Sequence, residues 1–271
     1  MQISIVEQNL SNDADDSQTT VPDRRFSSLA RLYGVAGASR IENAHVAVVG
    51  LGGVGSWSAE ALARSGVRRL TLIDLDHVSE SNINRQIHAI EASLGQSKVL
   101  AMQDRIRSFS PACDVTCVDD FVGSENWPSL LPEGVTAVID ACDQVRAKTA
   151  MASWARATST LFITVGAAGG KRHAHLVDID DLSRATHDPL LAQVRHQLRR
   201  DHGAPREGKN FGLACVFSKE AVKAPDASCS VDGDGTLNCH GYGSVVTVTA
   251  TFGQCAAGWI LDQVASDSRN I

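Results

Sequence analysis

Residues His45 to Val49 are apolar and mostly β-branched, and they run directly into Gly50, Leu51, Gly52, Gly53, Val54 and Gly55. A helical stretch from Ser56 to Ser65 follows, and Gly66 stops it. No other feature restricts the fold as much. A strand that turns through closely spaced glycines into a helix brings the helix's free N–H groups to one point and lets phosphate approach the backbone. Asp74 ends the next strand, Leu70 to Asp74, where its carboxylate can accept hydrogen bonds from ribose hydroxyls. Strand, glycine turn, helix, strand and acid together mark a nucleotide site.

The rest of the first two-thirds keeps the same rhythm. Gln96 to Phe109 reads as a helix ended by Ser110 and Pro111, Val115 to Phe121 and Val135 to Ile139 as strands, Ala147 to Ala157 as a helix and Leu161 to Val165 as a strand. This alternation predicts an α/β fold, a Rossmann-like, doubly wound and mainly parallel sheet. Upstream, Phe26, Leu29, Leu32, Tyr33 and Ala36 recur at helical spacing between Phe26 and Ile41. Residues 1–23 are polar and acidic and read as a disordered leader, which leaves 24–271 as one domain.

After Gly166 the periodicity loosens into an elaborated C-terminal part. Pro225 to Gly243 is rich in Gly, Ser and Asp and reads as a loop. Ser244 to Ala265 is apolar, but Thr247, Thr249, Thr251, Gln254 and Asp262 interrupt it. It reads as a buried helix, and no membrane insertion is expected.

The net charge of −6 gives the chain no general attraction to nucleic acid or anionic membranes. Any RNA contact needs a local basic face. The stretch from Arg184 to Lys209 offers one, with Arg195, Arg199, Arg200, Arg206 and Lys209, though the same pattern also suits a solvated helix face. The first residues lack the basic and apolar regions of a signal peptide, so a cytosolic location is expected. None of the seven cysteines forms a Cys-x-x-Cys pair, and they read as reduced, mostly buried thiols rather than zinc ligands.

A glycine fingerprint with an acid such as Asp74 also suits a nicotinamide or flavin cofactor. The segment after it points elsewhere. Asn82, Arg85 and Lys98 converge on the glycine turn, and two cations with an amide suit a triphosphate better than a dinucleotide's pyrophosphate. Asp140 and Asp143 end the strand from Val135, and Asp143 is placed to hold Mg²⁺ against phosphate.

The ordered set Gly50–Trp57, Ile73–Asp76, Ser81–Gln86, Gly95–Lys98 and Asp140–Asp143 resembles the ubiquitin-activating-like adenylating family, over roughly residues 25–170. That family includes the activators of sulfur-carrier proteins in molybdopterin and thiamine synthesis. The resemblance implies that Gly50, Gly52, Gly53 and Gly55 wrap ATP and that Asp74 binds its ribose. It implies that Asn82, Arg85 and Lys98 hold the phosphates and Asp143 holds Mg²⁺, with Arg85, Lys98 and Asp143 carrying the catalysis. It also implies a homodimer, with Arg25 reaching the partner subunit's nucleotide. The chain departs from the family pattern at Gln144, where Asn is usual, and at Ser28, where a second arginine is usual.

Further strings resemble one branch of that family, which dehydrates threonylcarbamoyladenosine in tRNA. They include Ala30–Gly34, Arg85–His88, Asp119–Val122, Gly166–Gly170, Asp188–Leu190, Cys215–Glu220 and Val248–Gly253. On that likeness the substrates are ATP and the modified tRNA, Arg195, Arg199 and Arg200 face the RNA, residues 171–271 form the substrate-binding part, and a sulfur-transfer accessory protein is a further partner. Cys215, the nearest counterpart of a conjugating enzyme's nucleophile, is structural on this reading. Other readings stay open: an activator of a ubiquitin-like or sulfur-carrier protein, a nicotinamide-dependent oxidoreductase, and a nucleotide-binding scaffold without chemistry.

Overall fold

The computed structural model describes residues 24–206, 208–224 and 242–266. The expected leader, and residues 225–241 of the expected loop, lie outside the described residues. Seven strands form one sheet: β1 (His45–Val49), β2 (Arg69–Ile73), β3 (Asp114–Val118), β4 (Ala137–Asp140), β5 (Leu161–Val165), β6 (Val177–Asp181) and β7 (Ala214–Ser218). Their spatial order is β3-β2-β1-β4-β5-β7-β6, parallel throughout except for β6, which runs antiparallel to β7 at the edge. The order reverses between β1 and β4, which pair directly through Val46 to Val49 and Ala137 to Asp140. In open parallel sheets a crevice forms beyond the strand ends at such a reversal.

The central strands are buried on both faces, and their side chains sort by the two-residue period of a strand. Val46 and Val48 of β1, Ile139 of β4, Ile163 and Val165 of β5 and Val216 of β7 enter one core. There they meet Leu62 of α2 (Gly55–Arg64), Met102 and Ile106 of α3 (Lys98–Phe109), and Phe252 and Ile260 of the last helix. Ala47, Val49, Val138, Phe162, Cys215 and Phe217 enter the other core. That core is covered by Met151 of α4 (Val145–Thr158) and Leu191 and Leu198 of α5 (Pro189–Asp201). Each large apolar side chain so buried contributes about 1.5–3 kcal/mol relative to exposure.

The last helix, α6 (Val246–Ser266), packs on α2 and on α1 (Ser27–Asn43). Contact with α2 is intimate at Gly253, where a Cβ would lie 2.4 Å from the Val54 carbonyl oxygen, and Ser58 Oγ donates to the Gly253 carbonyl at 3.0 Å. Among the described residues no helix is long and apolar enough to cross a membrane.

Several boundaries differ from the sequence-based expectation. α3 begins at Lys98 rather than Gln96, because Gln96 and Ser97 belong to a turn in which Val78 N–H donates to the Gln96 carbonyl. β3 ends at Val118, and Asp119 to Phe121 continue as loop. α1 is broken at Gly34, whose backbone is left-handed (φ +73°). The C-terminal part, loose in sequence, adds β6 and β7 to the same sheet and lays α5 against one face of it.

Candidate nucleotide site

The exits of β1 and β4 pass so closely that a Cβ on Gly50 would lie 2.9 Å from the Ala141 carbonyl oxygen, and Gly50 is left-handed (φ +86°). Gly55 opens α2, and a Cβ there would fall 1.8 Å from the Gly50 carbonyl oxygen. These two glycines close the turn. Gly53 serves a different purpose. A Cβ there would meet the Arg85 Cγ and Cδ at 3.1 and 3.2 Å, so its bareness lets the arginine stem lie along the turn.

A cleft of about 450 Å³ lies over these strand ends, within the usual range for small-ligand sites. It brings together Gly50, Gly52, Gly53, Asp74, Asn82, Arg85, Lys98 and Asp143, all expected from sequence. Gly55 sits behind the turn and does not line the cleft.

Asp74 is held by two backbone donors: the Leu51 N–H at 2.5 Å and the Asp76 N–H at 2.9 Å. Burial raises its pKa, and Lys98 and the two N–H groups oppose that rise. Lys98 is not the solvated residue that a helix start often carries. Its side chain is 7% exposed, with Nζ 2.7 Å from Asp76 Oδ2 and 4.0 Å from Asp74 Oδ1. Arg85 donates through Nη1 to the Ser81 carbonyl (2.7 Å) and to Asn84 Oδ1 (2.9 Å). Asn82 is buried, and its Oδ1 accepts the Ser79 N–H at 3.1 Å, so part of its amide shapes the turn that carries Arg85.

Asp143 is exposed at the cleft, and among the described residues it makes no ion pair. Asp140 differs completely. It is fully buried with Lys148, Oδ2 to Nζ 3.0 Å, and accepts the Thr164 hydroxyl at 2.6 Å. Asp143 thus presents a free hard-oxygen ligand, as Mg²⁺ held between a carboxylate and phosphate requires.

Other cleft residues were less legible. Asp76 sits two residues after Asp74, and sequence gave no sign that it holds Lys98. Gln86 is buried at the cleft with its Oε1 unpaired among the described residues. Phe121 presents a half-exposed ring, and Thr249 reaches in from α6. Thr249 lies in the string Val248–Gly253 that carries the resemblance, but nothing in its helical reading placed it at the cleft. The loop Gly166–Gly169 walls the far end.

The remaining expected residues lie outside the cleft. Arg195 is half-buried and donates to the Ala185 carbonyl at 2.8 Å. Arg199 stacks over Phe211 at 5.1 Å from the ring centroid and donates to the Pro205 carbonyl. Only Arg200 of the three is exposed, paired with Asp201 at 2.7 Å. Arg25 donates to the Phe109 carbonyl at the end of α3. Cys215 is fully buried in mid-strand, and burial pushes its thiol far above the usual range. An inaccessible thiol held neutral is no nucleophile.

A Rossmann-like sheet whose strand-order reversal carries a glycine turn, a buried acid and two cations defines a class of nucleotide-binding adenylating proteins. The chain belongs to the ThiF family, whose model matches residues 26–270. It is similar to tRNA threonylcarbamoyladenosine dehydratase of Escherichia coli, 41% identical over 250 residues, covering 89% of this chain and 93% of that protein. A crystal structure of the Escherichia coli dehydratase in complex with ATP matches with a TM-score of 0.80 at 41% identity, again over 89% and 93% of the two chains. Molybdopterin-synthase adenylyltransferase of Salmonella typhimurium is 36% identical over 117 residues, 43% of this chain and 47% of that protein.

Proposed function

We propose that the chain is an ATP-dependent enzyme that dehydrates threonylcarbamoyladenosine in tRNA through an acyl-adenylate. One observation carries the choice of branch. Likeness to the dehydratase runs through 89% of the chain, whereas likeness to the carrier-activating enzyme covers 43%. The substrate-binding part, residues 171–271, is where branches that share one adenylation core must differ.

ATP lies over the glycine turn with its ribose hydroxyls on Asp74. Lys98, Arg85 and the Asn82 amide hold the phosphates, and Asp143 is the residue that would hold Mg²⁺. When bound, the metal supplies charge neutralisation between the phosphates. The threonyl carboxylate attacks the α-phosphorus, and pyrophosphate leaves. A carbamoyl nitrogen then attacks the activated carbonyl, loses its proton and expels AMP, which closes a ring. The nucleoside is left lacking one water. A carboxylate oxygen is a poor leaving group and AMP a good one, so activation makes the cyclisation feasible. The second step is intramolecular and needs no enzyme nucleophile, in keeping with the burial of Cys215. Arg85 and Lys98 act by position and charge, where preorganised cations count most.

Arg184, Arg200, Arg206 and Lys209 are the exposed cations of the basic stretch, open to RNA phosphate. A homodimer with Arg25 at the partner's nucleotide, a sulfur-transfer accessory protein and a cytoplasmic location complete the reading. The test is AMP release from ATP with and without tRNA carrying threonylcarbamoyladenosine, followed by mass analysis of the digested nucleosides. Stimulation of tenfold or more, on the order of 1.4 kcal/mol in barrier, with loss of one water from that nucleoside is expected. No stimulation and no mass change would move the chain to the carrier-activating branch.

A further inference from the structure

The wall Gly166–Gly169 leaves the end of β5, next to the β4 exit that carries Asp143. Beneath it lies a carboxylate that the adenylation chemistry does not use. Asp188 is 4% exposed. Its Oδ1 accepts the Leu191 N–H at 2.9 Å and caps α5, and its Oδ2 accepts the Ala167 N–H at 2.9 Å. Gly166 is bare because Asp188 presses on it: a Cβ there would lie 2.0 Å from Asp188 Oδ2.

The surroundings of Asp188 form a chain of buried charge. Lys171 and Lys148 both favour its ionised form, against a burial that raises its pKa. Lys171 is 2% exposed and donates to the Glu220 carbonyl (2.7 Å) and the His187 carbonyl (3.1 Å). Lys148 pairs with Asp140, whose Oδ1 accepts the Cys142 N–H at 3.3 Å. Acid and base alternate beneath the cleft, and at each acid a backbone N–H hooks a cleft-lining turn.

We propose that Asp188 is a positioning residue that holds the Gly166–Gly169 wall as the seat of the acyl substrate, the carboxylate-bearing nucleoside, without taking part in ATP binding. This rests on the adenylation reading above. ATP's expected partners stand at the exits of β1, β2 and β4 and in the loop before α3. A carboxylate approaching the α-phosphorus therefore enters from the remaining side, where the β5 exit supplies the wall. A misplacement of about 1 Å at such a wall is enough to cost on the order of a hundredfold in rate. Asp188 acts through the loop, since backbone donors occupy both of its oxygens.

The test is Asp188→Asn in the full chain. Asn caps helices about as well as Asp, so α5 keeps its cap. The NH2 that replaces Oδ2 is a donor and cannot accept from the Ala167 N–H, so the wall loses its hook. Hydrogen exchange at residues 166–170 is expected to quicken tenfold or more, while the Kd for ATP measured without tRNA stays within twofold. AMP release driven by threonylcarbamoyladenosine-bearing tRNA is expected to fall tenfold or more. Asp188→Glu gives no rescue, because Gly166 leaves no room for another methylene. Unchanged tRNA-driven turnover in the Asn variant overturns the proposal, as does ATP affinity that falls in step with turnover. If the wild-type protein itself does not respond to that tRNA, the functional reading fails instead. The exchange and ATP measurements then decide alone whether Asp188 holds the wall, and unchanged exchange overturns it.

Discussion

His88 provides a quantitative test of the electrostatics around the phosphate side of the site. It follows Arg85 by three residues, is 2% exposed, and neither ring nitrogen finds a hydrogen-bond partner among the described residues. Burial, followed by the positive fields of Lys98 and Arg105, lowers its pKa from 6.5 to about 4. The sign follows from proton uptake. In the unfolded chain His88 takes up a proton as the pH falls through its ordinary value, while in the folded chain it resists until about 4. The unfolded state therefore binds more protons throughout that window, and stability is lost as the pH drops. The full loss is about 3 kcal/mol below both values, and about 2 kcal/mol of it is already gone near pH 5.

The perturbation is His88→Leu, which fills similar space and cannot take a proton. Urea midpoints for both proteins at several values between about pH 8 and pH 5 provide the measurement. Asp74 and Asp188, whose raised values act in the opposite direction, titrate in both proteins and cancel in the difference. The stability gap is expected to shift by about 2 kcal/mol in favour of the variant across that range. Parallel curves would refute the reasoning, since they would mean that His88 titrates alike in the folded and unfolded chains.

Asp74→Asn removes a charged acceptor worth about 1.5–3 kcal/mol, so ATP affinity measured by titration should fall roughly ten- to a hundredfold. In the wild type, because burial raises the Asp74 pKa, ATP binding should weaken on acidification at a pH above the usual carboxylate range. Gly55→Ala places a Cβ 1.8 Å from the Gly50 carbonyl oxygen and must deform the turn, so ATP binding should be abolished even where circular dichroism shows a folded protein. Cys215→Ala should lower stability by about 1–2 kcal/mol for the lost packing while leaving AMP release per folded molecule unchanged. A variant that forms adenylate but no cyclic product would make Cys215 a participant.

The half of the molecule written in glycine and alternating strands was readable in advance. Gly50, Gly52 and Gly53, Asp74, Asn82, Arg85, Lys98 and Asp143 do meet in one cleft, because a parallel sheet delivers every strand's C-terminal end to the same edge. The later half was hidden for physical reasons. β6 is an edge strand with the acids Asp178, Asp180 and Asp181, so its composition resembles a loop. The basic stretch showed the reverse failure. Charge in a sequence carries no direction, and Arg195 and Arg199 spend donors on the backbone carbonyls of Ala185 and Pro205. Pairing was equally invisible: nothing in the spacing of Asp140 and Asp143 says that one is locked under the floor and the other open to it.

That last contrast also separates cations able to meet a phosphate from cations that only hold the fold. Lys98 and Lys148 both make short ion pairs beside the same cleft, but their partners differ. Asp76 has a side chain 56% exposed, so water accommodates its charge when Lys98 swings toward phosphate. Asp140 is 0% exposed, and Lys148 cannot leave it without stranding a buried carboxylate. Removal of one partner of a buried pair typically costs about 3–5 kcal/mol, whereas a pair with one solvated partner is worth about 1 kcal/mol or less. Lys98→Met should therefore lose less stability in urea than Lys148→Met while losing ATP-dependent activity, because the buried neighbour Asp74, 4.0 Å from Lys98 Nζ, keeps two backbone N–H donors. Lys148→Met should be strongly destabilised. If the two variants unfolded at the same urea concentration, partner exposure would not be what distinguishes them, and the assignment of Lys98 to the phosphates would lose its physical basis.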